Sequence, residues 1–221
     1  MKQILVFIGL IVLGNTLWAQ QPGYEIKVTF KPFKNQYIYL GYYNGKQLPI
    51  KDSVKLNEKS EAVFKGSEAL GGGIYYIGYP SRDRFFEFLL DKNQHFSIIA
   101  DTMDIDNKKF INSPDNDLFV SYQKNMSEKG RARSALTNKL AAVKTAADSA
   151  SIQKSINYSD SGIALYRKQL ITQNPESFLS LFLRMMSEPE PPANPIAPGK
   201  PGYDSLFAYH YVKNHYWDGL N

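Results

Sequence analysis

Tyr24-Glu25-Ile26-Lys27-Val28-Thr29-Phe30 puts Tyr24, Ile26, Val28 and Phe30 on one side of an extended chain and the polar residues on the other. Such alternation is the period of a half-buried strand, because successive side chains point to opposite faces. The texture continues. Tyr37 to Tyr43 reads as a second strand, ended by the turn dipeptide Asn44-Gly45. Ser53 to Leu56 and Ala62 to Gly66 flank Asn57-Glu58-Lys59-Ser60 and read as a hairpin. Gly73 to Tyr79 is a further strand. Phe85 to Leu90 is expected to pair with His95 to Ala100 across Asp91-Lys92-Asn93-Gln94, and Lys109-Phe110-Ile111 is a last short strand. Seven to eight short strands at this spacing predict an antiparallel β-sandwich or partly open barrel over residues 20–113.

The pattern then changes period. Ser113-Pro114-Asp115 has the composition of a helix start, with Pro in the first turn and acids near the positive end of the helix dipole. Leu118, Phe119, Tyr122 and Met126, then Leu136, Leu140, Val143 and Ala147, recur at helical spacing, with Gly130 as an interruption or bend. Ile152, Ile156, Ile163, Tyr166 and Leu170 form another stripe. An antiparallel helical hairpin is therefore expected within 114–187, turning near Ala146 to Ser151, with a third helix after Asn174-Pro175-Glu176-Ser177. Ser187 to Pro201 holds six of the twelve prolines, so residues 188–202 read as a semi-rigid loop. Helical spacing resumes over 203–221. The fold class is α+β.

The front of the chain carries a different message. Met1-Lys2-Gln3 is a short basic start, Ile4 to Leu13 is apolar, and Leu17-Trp18-Ala19 offers a small residue for cleavage. That is the three-part pattern of a secretory signal peptide over 1–19. The apolar run is about half of the roughly 20 residues needed to span a bilayer. Export to the periplasm or cell envelope is the expectation, with no membrane contact after cleavage.

The chain contains no cysteine, which removes CxxC redox pairs, thiolate zinc sites, cysteine nucleophiles and a lipoprotein anchor. The net charge of +5 is spread along the chain. Lys124, Lys129, Arg131 and Arg133 are its nearest approach to a basic cluster and read as a solvated helix face, so no nucleic-acid partner is expected.

His210 and His215 lie five apart, which on a helix turns them to different faces, and His95 is distant; no metal site follows. Asp101 to Asn107 bunches carboxylates without the EF-hand pattern. Gly71-Gly72-Gly73 leads into a strand rather than a phosphate-binding helix. No catalytic, cofactor-binding or metal-ligating residue emerges, and no cofactor is implied. The remaining candidates are aromatic. Tyr37, Tyr39, Tyr75 and Tyr79 form two rows that either pack in the sandwich or present an open sheet face to a glycan or protein.

Several short stretches, in order, carry a resemblance: Gly23-Tyr24-Glu25-Ile26, Tyr39 to Tyr43, Asp52-Ser53, Phe64-Lys65-Gly66, Gly73-Ile74-Tyr75, Phe96-Ser97 and Asn112-Ser113-Pro114-Asp115-Asn116. Together they resemble an uncharacterised β domain (domain of unknown function 4369) at the N-terminus of exported thioredoxin-like proteins of Gram-negative bacteria. Asn174-Pro175, the Pro-rich loop and His215-Tyr216-Trp217-Asp218 resemble the second, helical segment of such proteins (domain of unknown function 5106). The resemblance implies a non-catalytic region that positions a C-terminal thioredoxin-like domain of the same protein or docks a client. The family's redox domain, with its CxxC, is absent from these residues. The family's hairpin turn, often built around Gly, is Asn57-Glu58-Lys59-Ser60 here.

Overall fold

The computed structural model describes residues 23–218, so the signal-peptide reading of 1–19 lies outside the described residues. Eight strands make two open four-stranded sheets. The first contains β1 (Tyr24–Lys31), β4 (Glu61–Gly66), β7 (His95–Asp101) and β8 (Lys109–Ile111), in the order β4-β1-β7-β8. The second contains β2 (Tyr37–Tyr42), β3 (Ile50–Lys55), β5 (Gly73–Gly78) and β6 (Phe85–Leu90), in the order β3-β2-β5-β6. The α+β expectation of a β-sandwich followed by helices holds. One pair departs from the antiparallel pattern, since β1 and β7 run parallel.

The alternation that marks β1 also builds the core. Ile26, Val28 and Phe30 meet Ile38, Leu40, Ile77 and Phe88 between the sheets, all essentially inaccessible to water. Phe30 sits edge-to-face on Tyr79 at 4.8 Å and on Phe86 at 5.4 Å, the geometry aromatic quadrupoles favour.

Two expected hairpins are corrected. β3 and β4 belong to opposite sheets, as do β6 and β7, so Asn57–Ser60 and Asp91–Gln94 carry the chain across the sandwich. Burial explains the first crossing, because Leu56 is drawn into the core directly after β3. The Asn57 carboxamide oxygen then accepts the Lys59 and Glu61 amides at 2.8 and 2.9 Å. Ser60, at φ 65°, presents its carbonyl to the Phe30 amide. Gln94 does the equivalent at the second crossing. Its buried side chain donates to the Leu70 and Asp91 carbonyls and accepts from the Leu70 amide, while its own carbonyl accepts from Glu25.

Four helices follow: α1 (Pro114–Ala142), α2 (Ala146–Gln173), α3 (Phe178–Met185) and α4 (Phe207–His215). α1 runs unbroken through Gly130, and the hairpin turns at Val143–Thr145, earlier than its expected position. Thr145 fixes that turn by accepting the Asp148 amide, which satisfies one of the open donors at a helix start. Farther from the sheets the hairpin seam is thin, centred on buried Ile156 and closed by a bidentate Arg133–Asp160 pair. Nearer the sheets, Phe119, Tyr122, Leu170, Leu179 and Leu183 bury Leu89 and Ile74 on the outer face of the second sheet.

The junction is the segment Asn112-Ser113-Pro114-Asp115-Asn116. β6 is an edge strand, and Leu89 on it would leave a peptide group open. Asn116, which is 1% exposed, closes it: the Leu89 amide donates to Asn116 Oδ1 at 2.7 Å, and Asn116 Nδ2 donates to the Leu89 carbonyl at 2.8 Å. Ser113 Oγ accepts the second Nδ2 hydrogen. Asp115 reaches the other way and accepts the Phe178 amide at the start of α3. Burial pushes the Asp115 carboxyl above its ordinary range, partly offset by that amide.

Replacing Asn116 with Ala strands two buried backbone groups, each worth about 1–3 kcal/mol when unpaired. N116A should therefore lose about 2–6 kcal/mol in urea unfolding. A loss below about 0.5 kcal/mol would place it among ordinary surface changes and contradict this role.

Candidate functional site

The outer face of the second sheet is built from residues one position out of phase with the core. On β2 and β5 these include Tyr39, Gly41, Tyr76 and Gly78. They pair reciprocally, with Tyr39 opposite Gly78 and Gly41 opposite Tyr76. Each ring covers the glycine across from it. A Cβ at Gly41 would lie 2.0 Å from the Tyr76 ring, so only glycine fits there. The Tyr76 hydroxyl donates to the Leu48 carbonyl at 2.8 Å and is consumed by the fold. Tyr39 keeps its outer surface, and the Arg82 guanidinium stacks over it at 4.3 Å. Arg82 adopts φ 60°, a left-handed conformation that a non-glycine residue rarely takes. Together with Leu48, Ile50 and Phe85 these groups line a shallow groove of about 250 Å³.

The four tyrosines singled out in the sequence do not share a surface. Tyr37 is 52% exposed and Tyr39 is half-buried, both outside. Tyr75 and Tyr79 are 6% and 3% exposed and belong to the sandwich core. Tyr75 points its hydroxyl at the Gly71 carbonyl, and Tyr79 packs on Phe30. Tyr76 lies on the outer face but is as buried as Tyr75, and Phe85, which is 42% exposed, completes the exposed aromatic face beside it. In Ile74-Tyr75-Tyr76-Ile77 both phases are apolar, so alternation alone does not say which ring faces out.

A second, larger concavity of about 700 Å³ lies beyond the turn between β5 and β6 and shares Arg84 and Phe85 with the first. Its walls are β6, the 3₁₀ turn Ile105–Asn107 and the middle of α1. A polar chain crosses it. Lys108 Nζ contacts Gln123 Oε1 at 3.4 Å, Gln123 Nε2 donates to Glu87 Oε2 at 3.1 Å, and the Tyr43 hydroxyl donates to Glu87 Oε1. Burial holds the Lys108 amine below the usual lysine range, against the opposing pull of Asp106 and Glu87. The Tyr43 hydroxyl is pushed up to about 12, by burial first and then by its bond to the Glu87 carboxylate. This relay was not legible in the sequence, because its members lie on four separate segments, Tyr43 just after β2, Glu87 on β6, Lys108 between the 3₁₀ turn and β8, and Gln123 on α1. Lys124 and Arg131, read there as a solvated helix face, stand on its rim.

Elsewhere the histidines are occupied singly, His210 by Asp204 at 2.8 Å and His215 by Asp218 at 2.6 Å. The His210 bond holds the Asp204 carboxyl low. Among the described residues no group of three or more His, Asp or Glu is placed to hold a metal ion. No helix there is long and apolar enough to cross a membrane. In comparisons with known proteins, no family profile, curated protein or solved structure matches the chain.

The Tyr43–Glu87 pair has a direct readout. A hydroxyl raised in the folded state favours folding below pH 10, and that contribution is lost as pH rises through about 12. In E87Q, ultraviolet titration should show the Tyr43 step lower than in the parent chain, yet still above the ordinary tyrosine value because burial remains. An unmoved step would disprove the pairing.

Proposed function

We propose that this chain is a non-catalytic N-terminal region of an exported, periplasmic thioredoxin-like thiol-disulfide oxidoreductase, and that it positions the redox domain or docks a partner. The resemblance of Gly23 to Asn116 and of the helical segment motivates the reading. One observation carries it further. α4 buries none of its residues, although Leu206, Tyr209 and Trp217 in and beside it are 57%, 61% and 66% exposed. The helix is held in place by polar ties, Tyr216 hydroxyl to the Met185 carbonyl and Asn194 Nδ2 to the Asp204 carbonyl. A fixed helix with apolar side chains left open suits contact with a further domain or a client. Because no cysteine is present, the family's electron transfer would belong to residues outside this chain.

A second reading is a binding module for glycan or protein that uses the outer face of the second sheet. It is favoured by the Tyr39–Arg82 stack and the adjoining groove. Tyr75 and Tyr79 take no part in it, since both are buried.

The two readings separate at the gene. Sequencing the coding region past the codon for Asn221 should reveal an open frame entering a CxxC within about 150 residues, one more domain. A stop codon directly after Asn221 would overturn the first reading and move the binding module to first place.

A further inference from the structure

We propose that the concavity between β6, the 3₁₀ turn and α1 is a binding site for a small organic monocarboxylate with an apolar body, its carboxylate received by Lys108. This site is independent of the docking role.

The argument starts from unmet hydrogen bonding. An ammonium group has three donors. Lys108 directs one at Gln123 Oε1 over 3.4 Å, which is a long contact, and among the described residues no carboxylate lies within 4.0 Å of it. The nearest acid on β6, Glu87, is already engaged on both oxygens, by Tyr43 and by Gln123. Gln123 is thereby fixed with its amide nitrogen toward Glu87 and its oxygen toward Lys108. The relay ends in a cation that retains donors at the wall of a concavity. Asp106 and Glu87 act on this ammonium only from a distance, and a partly buried charge with no carboxylate in direct contact is costly, a cost an incoming anion would relieve.

The surroundings define the rest of the ligand. The Phe86 ring lies 6.0 Å from the ammonium. Phe85, Ile105 and Val120 add apolar lining. A volume of about 700 Å³ suits a small ligand. Charge selects against multiply charged anions. Among its lining residues Arg84, Lys108, Lys124 and Arg131 are matched in number by Glu87, Asp104, Asp106 and Glu128, so the wall is neutral overall and Lys108 is the cation set beside an aromatic ring. A phosphate dianion would meet the rim acids, whereas a monocarboxylate with a hydrocarbon body matches both the Lys108 ammonium and the ring beside it.

The test uses the full chain with 3-phenylpropionate as probe and the neutral 3-phenylpropanol as its control. Isothermal titration should give saturable binding of the acid, at least about tenfold tighter than the alcohol, because the charged contact is lost in the alcohol. K108M should reduce acid binding to the level of the alcohol. A second measurement needs no variant: NMR titration of the Lys108 ε-carbon should show its amine becoming more basic when the acid is bound and unchanged with the alcohol. No saturable binding at about 10 mM would overturn the proposal. So would equal affinity for acid and alcohol, or an unmoved Lys108 titration.

Discussion

The structure depends on one side chain meeting one peptide group. The free edge of β6 ends at Leu89, and Asn116 pairs with both the amide and the carbonyl of that residue. A carboxamide carries a donor and an acceptor in the spacing of a peptide, so it substitutes for the strand that the sheet lacks. Because Asn116 sits in the first turn of α1, the same bond that closes the edge sets where the helix leaves the sandwich. Asp115, one residue earlier, receives the amide that starts α3. Two adjacent side chains thus connect a sheet edge, a long helix and a short helix.

The division of the outer face of the second sheet into a covered and an open end follows from that placement. With α1 and α3 fixed over Ile74 and Leu89, one end of the outer face of the second sheet is covered. The other end stays open, and there Tyr39 and Arg82 form the exposed platform. The space between β6, the 3₁₀ turn and the middle of α1 is the concavity crossed by Lys108, Gln123 and Glu87. The far half of the α1–α2 hairpin has only a narrow apolar seam and a single bidentate ion pair, which is partly exposed and so contributes little. Its contact with the sandwich, through Phe119, Tyr122 and Leu170, supplies most of the burial that isolated helices lack.

Much of this architecture is legible in the residues. The alternation of Tyr24 to Phe30 marks a strand, and Lys109-Phe110-Ile111 is found as read. Ser113 before Pro114 marks the start of α1. Strand partnership is another matter. Asn57-Glu58-Lys59-Ser60 and Asp91-Lys92-Asn93-Gln94 have the composition of hairpin turns, and only long-range packing makes them crossings. Leu56 must enter the core before the chain turns, and Gln94 must find Leu70, and neither need is visible locally. Asn116 reads from sequence as one more polar residue near a helix start. Its partner is twenty-seven positions away on a strand whose edge status depends on the whole sheet. Alternation also fails at β5, where tyrosines occupy both phases and one of each neighbouring pair faces inward.

Native-state amide hydrogen exchange at Leu89 is the most direct test that this junction governs the fold. If Asn116 closes the β6 edge as a strand would, the Leu89 amide should exchange only through the same global opening that exposes Ile26 and Ile98 in the core, with an equal free energy. Exchange at Leu89 as fast as at an open strand edge, while the core stays protected, would show that the sandwich stands without this contact and would contradict the account.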